Sequence, residues 1–87
     1  MPYIVEDDRK PYKFYLDWLV TLLSKSGWIT GHLTYAIYYL CLAKFKAKPC
    51  YQTGAEVVAA LETAKLEFYR RELAGYEDKK IQENGDL

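Results

Sequence analysis

The chain has 87 residues, 51% of them hydrophobic, and twelve basic side chains balance twelve acidic ones. A chain of this size is one domain with a small core, neither disordered nor a charged tail, and such domains often gain stability by oligomerising. With no net charge there is no global electrostatic footprint for long DNA or RNA, although a local cluster can hold one or two phosphates.

The stretch "PYKFYLDWLVTLLSKSG" (residues 11–27) predicts a first helix. Pro11 suits a first turn, Tyr12, Tyr15, Leu16, Leu19, Leu22 and Leu23 recur at three- and four-residue steps, and Gly27 is a natural stop. A short link, "WIT", leads to a second helix with Thr30 as its expected N-cap. That helix, "GHLTYAIYYLCLAKFKAK" (31–48), has two apolar faces. Leu33, Ala36, Ile37, Leu40 and Cys41 share one side, and Tyr35, Tyr38, Tyr39 and Leu42 take roughly the opposite one. A helix apolar nearly all round must be covered all round, which predicts a subunit interface or a ligand pocket.

Pro49 closes the second helix, and "KPCYQ" reads as loop. "TGAE" opens a third helix, with Thr53 and Glu56 at capping-box spacing, running through Val57, Val58, Leu61, Ala64 and Phe68 to about Ala74. Gly75 is expected to interrupt it. "YEDKKIQENG" then predicts a short C-terminal helix, with Glu77 and Asp78 in its first turn and Gly85 past its end. Strand and hairpin signals are absent. The expected fold is all-α: a three-helix domain over residues 1–87 with a short C-terminal helix or tail, in an oligomeric helical assembly.

Cys41 and Cys50 match no metal spacing and are too few for a disulfide scaffold, so reduced, structural thiols are expected and no metal. The N-terminus lacks an apolar h-region. The most apolar run, residues 33–45, is broken by Thr34 and Lys44 and falls short of the roughly 20 residues a span needs. The expectation is a soluble, cytoplasmic protein. Nine tyrosines stand out; an apolar ring with a polar tip suits interfaces and half-buried ligand sites.

The charges of "AKLEFYRRELAGYEDKK" are harder to place. On a wheel centred on Leu61, Lys65 and Glu72 fall within about 60° of the apolar stripe, beside Val57, Ala64 and Phe68. Tyr69 lies near one edge of the stripe and Arg71 near the other, while Arg70 points away. Lys65 and Glu72 either reach past the core to water or pair with charges on another helix, such as Arg9 or Asp17. Glu67 and Arg71 form an ordinary i, i+4 pair. The functional alternative places Lys65, Tyr69, Arg70 and Arg71 around a polar pocket between subunits. Arginine forks suit phosphate oxygens, and Tyr69, Tyr35 and Tyr38 offer rings for bases. His32, the single histidine, has no Ser, Asp or Cys at a catalytic spacing, and no phosphate loop, HExxH or EF-hand pattern occurs. Neither an enzyme nor a cofactor is expected.

Both ends of the chain carry a resemblance. "MPYI" and "DR" at the start, with "LE.AKLEFYRR" and "YEDKKI.ENGD" near the end, resemble a family of short bacteriophage and prokaryotic proteins known as a domain of unknown function. The likeness covers nearly the whole chain, and the segment from Leu61 to Asp86 is polar and specific. Gly75 departs from it, a proline being common there, which bears on how sharply the chain bends before Tyr76. The family looks similar to the tetrameric anti-CBASS sponges, with which phages sequester cyclic nucleotide immune signals. The resemblance implies a non-enzymatic homo-oligomer, a tetramer by analogy, that binds a cyclic dinucleotide in the host cytoplasm. Arg70, Arg71 and Lys65 would hold phosphates, Tyr69, Tyr35 and Tyr38 would stack on bases, and Tyr3 or Tyr76 would close the pocket. A helical module that docks on a host or phage protein is the alternative.

Overall fold

A computed structural model of the protein describes residues 4–86. The elements run α1 (Glu6–Lys25), α2 (Thr30–Ala47), α3 (Tyr51–Phe68), a π-helical turn (Tyr69–Leu73) and α4 (Ala74–Asn84). No strand occurs among the described residues, and the all-α expectation holds. The chain divides into two compact units, which the described residues represent as 4–57 and 58–86.

Helix α1 begins at Glu6, so Pro11 is not in the first turn but is the sixth helical residue. A proline there has no N–H to offer the Asp7 carbonyl. Glu6, Asp7 and Asp8 sit at the positive end of the helix dipole, each worth roughly 0.3–1 kcal/mol, and offset part of that loss. Exposed pairs between Lys10 and Asp7 and between Lys13 and Asp17, both at 3.1 Å, follow along the same helix.

Gly27 ends α1 as expected, in a Schellman motif. Its N–H donates to the Ser24 carbonyl at 2.9 Å, and the Trp28 N–H donates to the Leu23 carbonyl at 3.0 Å. Gly27 has φ 82°, and Trp28 beside it takes φ 57°, a left-handed conformation that costs a bulky residue about 1–2 kcal/mol. In this motif an apolar residue at the Trp28 position packs towards the Leu23 position, and Leu23 is the one buried apolar side chain among the described residues, 8% exposed. A Cβ at Gly27 would meet nothing within 4 Å. Gly27→Ala therefore carries a pure backbone cost and should destabilise by about 1–2 kcal/mol in urea denaturation.

Thr30 is not the N-cap of α2. It is the first helical residue, Ile29 precedes it, and no side chain caps this end. The expected capping box at Thr53 and Glu56 is also displaced. Helix α3 starts at Tyr51, which puts Cys50 in the N-cap seat and Thr53 in the first turn, 6% exposed. The Cys50 thiol lies 3.3 Å from the Thr53 hydroxyl. Glu56 turns elsewhere, accepting from Lys44 Nζ at 3.0 Å and from Gln52 at 3.4 Å. Those donors hold its carboxyl below the usual glutamate range, Lys44 first. The Lys44–Glu56 pair and the Phe45 ring, 3.7 Å from where a Gly54 Cβ would stand, tie the end of α2 to the start of α3.

Gly75 does not interrupt the helix. It lies inside α4, and the irregularity comes earlier, as the π turn. There the Ala74 N–H donates to the Tyr69 carbonyl, five residues back. Gly85, with φ 86°, stops α4 as expected, its N–H meeting the Ile81 carbonyl at 2.8 Å. No helix among the described residues is long and apolar enough to cross a membrane.

Candidate functional site

Four of the eight candidate residues gather on the π turn and the helical turn before it. Lys65 is 69% exposed and pairs with Glu62 on its own helix at 3.1 Å. The cross-helix partners considered for Lys65 and Glu72 have local contacts of their own: Arg9 Nε donates to the Ile4 carbonyl at 2.7 Å, and Asp17 holds Lys13. Both Arg70 and Arg71 reach Glu67, and Arg71 Nε stands 3.9 Å from the Oε1 that Arg70 also contacts.

Residues three and four apart are neighbours on a helix surface, so the two guanidinium groups converge on a single carboxylate oxygen. Glu67 is half-buried, whereas Arg70 and Arg71 remain mostly exposed.

Tyr69 is pinned across the same turn. Its hydroxyl donates to Glu77 Oε2 at 2.6 Å, spanning eight residues. That hydrogen bond, and then the Glu77 charge, hold the phenol above the usual tyrosine range. Because the folded value is raised, the contact is fully present below the ordinary tyrosine pKa and is lost only as pH rises through the raised one. Tyr76 faces Lys80 one turn on, whose Nζ lies 5.5 Å from the ring centroid.

Tyr35 and Tyr38 belong to the other unit, one turn apart on α2. Tyr35 pairs with Tyr39, ring centroids 6.0 Å apart and tilted by 46°. Both line a groove of about 630 Å³ between α1 and α2, together with Leu19, Leu22, Ala36 and Leu40. Tyr38 is not part of it. The groove face therefore draws on both apolar sides expected of the second helix. His32 also lines this groove, a place its position in the sequence did not indicate. Tyr3 lies outside the described residues.

Both cysteines are free, and Cys50 is exposed. Hydrogen bonds from the Thr53 hydroxyl, then from the Thr53 and Gln52 backbone N–H groups, lower its pKa from the ordinary thiol value. The thiolate is thus favoured, an effect lost as pH falls through the lowered value. Iodoacetamide should alkylate Cys50 before Cys41, and Thr53→Val should move the Cys50 pH–rate profile upwards. No group of His, Cys, Asp or Glu among the described residues is placed to hold a metal ion.

These features define a small all-α protein with an arginine-rich π turn and an open apolar groove. The chain belongs to the family described as Domain of unknown function (DUF6899), which matches residues 1–87. No curated protein and no solved structure matches it.

Proposed function

We propose that the protein is a non-enzymatic, homo-oligomeric nucleotide-binding protein that sequesters a cyclic dinucleotide, acting as a phage anti-defence sponge. The observation that carries this reading is the convergence of Arg70 and Arg71 on one carboxylate oxygen of Glu67. Two forked cations arranged about one anionic oxygen are the arrangement a phosphate requires, and Glu67 stands where a phosphate oxygen would exchange in. Lys65 adds a third exposed cation one turn earlier. Tyr69, held by Glu77, offers a ring of fixed orientation to a base. Oligomerisation is supported by the exposure of Trp18, Leu22, Tyr35, Ile37 and Leu40, since soluble monomers rarely leave so much apolar surface in water. A tetramer, by the family analogy, would set several such turns around enclosed pockets.

The sponge is distinguished from an enzyme by what it returns. After incubation with cyclic di-GMP or another cyclic dinucleotide, heat denaturation and chromatography should recover the ligand intact. Recovery of a linear product would replace sequestration with hydrolysis. The exposed apolar faces of α2 also favour a second reading, a module that docks on a host or phage protein. That reading predicts a complex that persists after every nucleotide has been removed.

A further inference from the structure

The π turn has no covalent cause. No proline stands between Tyr69 and Glu77, so every N–H there can take an α-helical partner. A Cβ at Gly75 would meet nothing within 4 Å, so nothing packed against the backbone at that point holds it open. Yet the Ala74 N–H passes over the Arg70 carbonyl, four residues back, and bonds to that of Tyr69. Turns of this kind are rare and occur mostly as single insertions in α-helices, frequently at functional sites.

The side-chain pairs on either side of the turn do not explain it. Glu67 with Arg70 and Arg71, Tyr76 with Lys80, and Lys80 with Glu83 are three or four residues apart, and a uniform α-helix keeps all of them. The contact between Tyr69 and Glu77 is different. At about 100° per residue, a position eight residues on stands about 80° away around a regular helix, and one seven residues on stands within about 20°. A single five-residue closure absorbs one residue, so Glu77 takes the place that Tyr76 would otherwise hold, two turns above Tyr69. There Glu77 Oε2 accepts the phenol at 2.6 Å. The same carboxylate keeps the Tyr69 hydroxyl protonated, and so keeps it a donor.

We propose that the Tyr69–Glu77 hydrogen bond is a latch that holds this helix in its π register, and that its release returns the turn to α-helical bonding. On release the Ala74 N–H exchanges the Tyr69 carbonyl for that of Arg70. Helix α4 then turns by about 100° and advances by about 1.5 Å relative to residues 58–68, one residue's worth of helix. The backbone bond is exchanged rather than lost, so one side-chain bond to an ionised acceptor, about twice as strong as a neutral one, is enough to bias the register. The two states differ in what stands above Tyr69: the Glu77 carboxylate when latched, the Tyr76 ring when released. Any group that takes the Tyr69 hydroxyl from Glu77 binds one register and not the other, and so shifts the helix towards the released state. The inference goes beyond the nucleotide reading, because both registers belong to the chain itself, with or without a ligand.

The test is NMR on the isotope-labelled full-length chain without nucleotide. It reads the scalar coupling that passes through a backbone hydrogen bond, from the amide nitrogen to the carbonyl carbon that accepts it. In the wild type the Ala74 amide should couple to the carbonyl of position 69. In Tyr69→Phe, which keeps the ring and removes the donor, the coupling partner should move by one residue, to position 70. Glu77→Ala, which removes the acceptor, should move it in the same way. Glu77→Gln retains an acceptor oxygen and should retain position 69. Retention of position 69 in Tyr69→Phe or in Glu77→Ala would overturn the latch, and coupling to position 70 in the wild type would overturn the π register itself. The nucleotide reading can fail separately, since no nucleotide enters the experiment.

Discussion

Leu23→Ala is expected to lower the melting temperature by roughly 8–40 °C. Burying a leucine and then truncating it costs about 2–5 kcal/mol, and each kcal/mol moves the midpoint of a domain this size by about 4–8 °C. The effect is large because Leu23 has no understudy: it is the one buried apolar side chain among the described residues. It is also where the Schellman turn fixes the exit of α1, through the Trp28 N–H to the Leu23 carbonyl. Differential scanning calorimetry measures the shift. A change under about 3 °C would mean that the corner between α1 and α2 is not what holds them together.

The second large effect concerns binding rather than folding. Arg70→Ala with Arg71→Ala should weaken cyclic dinucleotide binding by about 100-fold or more, at about 1.5–3 kcal/mol for each charge-assisted hydrogen bond lost. Melting without ligand should scarcely move, because exposed ion pairs are worth about 0–1 kcal/mol. Arg70→Lys should fall between, keeping the charge but losing the fork. Glu67→Gln should act in the opposite sense. It removes the carboxylate that occupies the guanidinium groups and leaves them for the ligand, so affinity should rise. Isothermal titration calorimetry separates these outcomes, and an unchanged affinity in the double variant would remove the π turn from the site.

Much of the helix content was legible because three- and four-residue apolar spacing is imposed by the 3.6-residue helix itself. The stops at Gly27 and Gly85 were legible for a related reason: both positions take positive φ, which glycine accepts without strain. Starts were not. Pro11, Thr30 and Thr53 are the residue types that favour helix entry, yet each helix begins up to five residues earlier than its signal implied. At α1 the three leading carboxylates outweigh the proline preference, and at α3 the Cys50 thiol takes a seat that composition assigns to Thr53.

The site was legible as a set of residue types but not as an arrangement. Nothing in "YRREL" announces hydrogen bonds that span five residues. The helix partners of Lys65, Arg71 and Tyr69 all lie on the same run of helix, at spacings of three, four and eight. The contact of Tyr69 with Glu77 depends on the π turn between them. Of the two charges that looked misplaced on an apolar stripe, Lys65 is thus locally paired, with Glu62.

The most direct test of the central claim is thermal melting of the full-length protein against a panel of cyclic di- and trinucleotides. ATP and the linear hydrolysis products serve as controls. A ligand that binds only the folded state adds stability by mass action, about 2.7 kcal/mol at one hundred times its Kd, or a rise of roughly 10–20 °C here. The account predicts such a rise with one cyclic nucleotide, abolished by the Arg70 and Arg71 double substitution and absent with the controls. No rise across the whole panel would contradict it, and the arginine-rich π turn would then be a surface for protein rather than for phosphate.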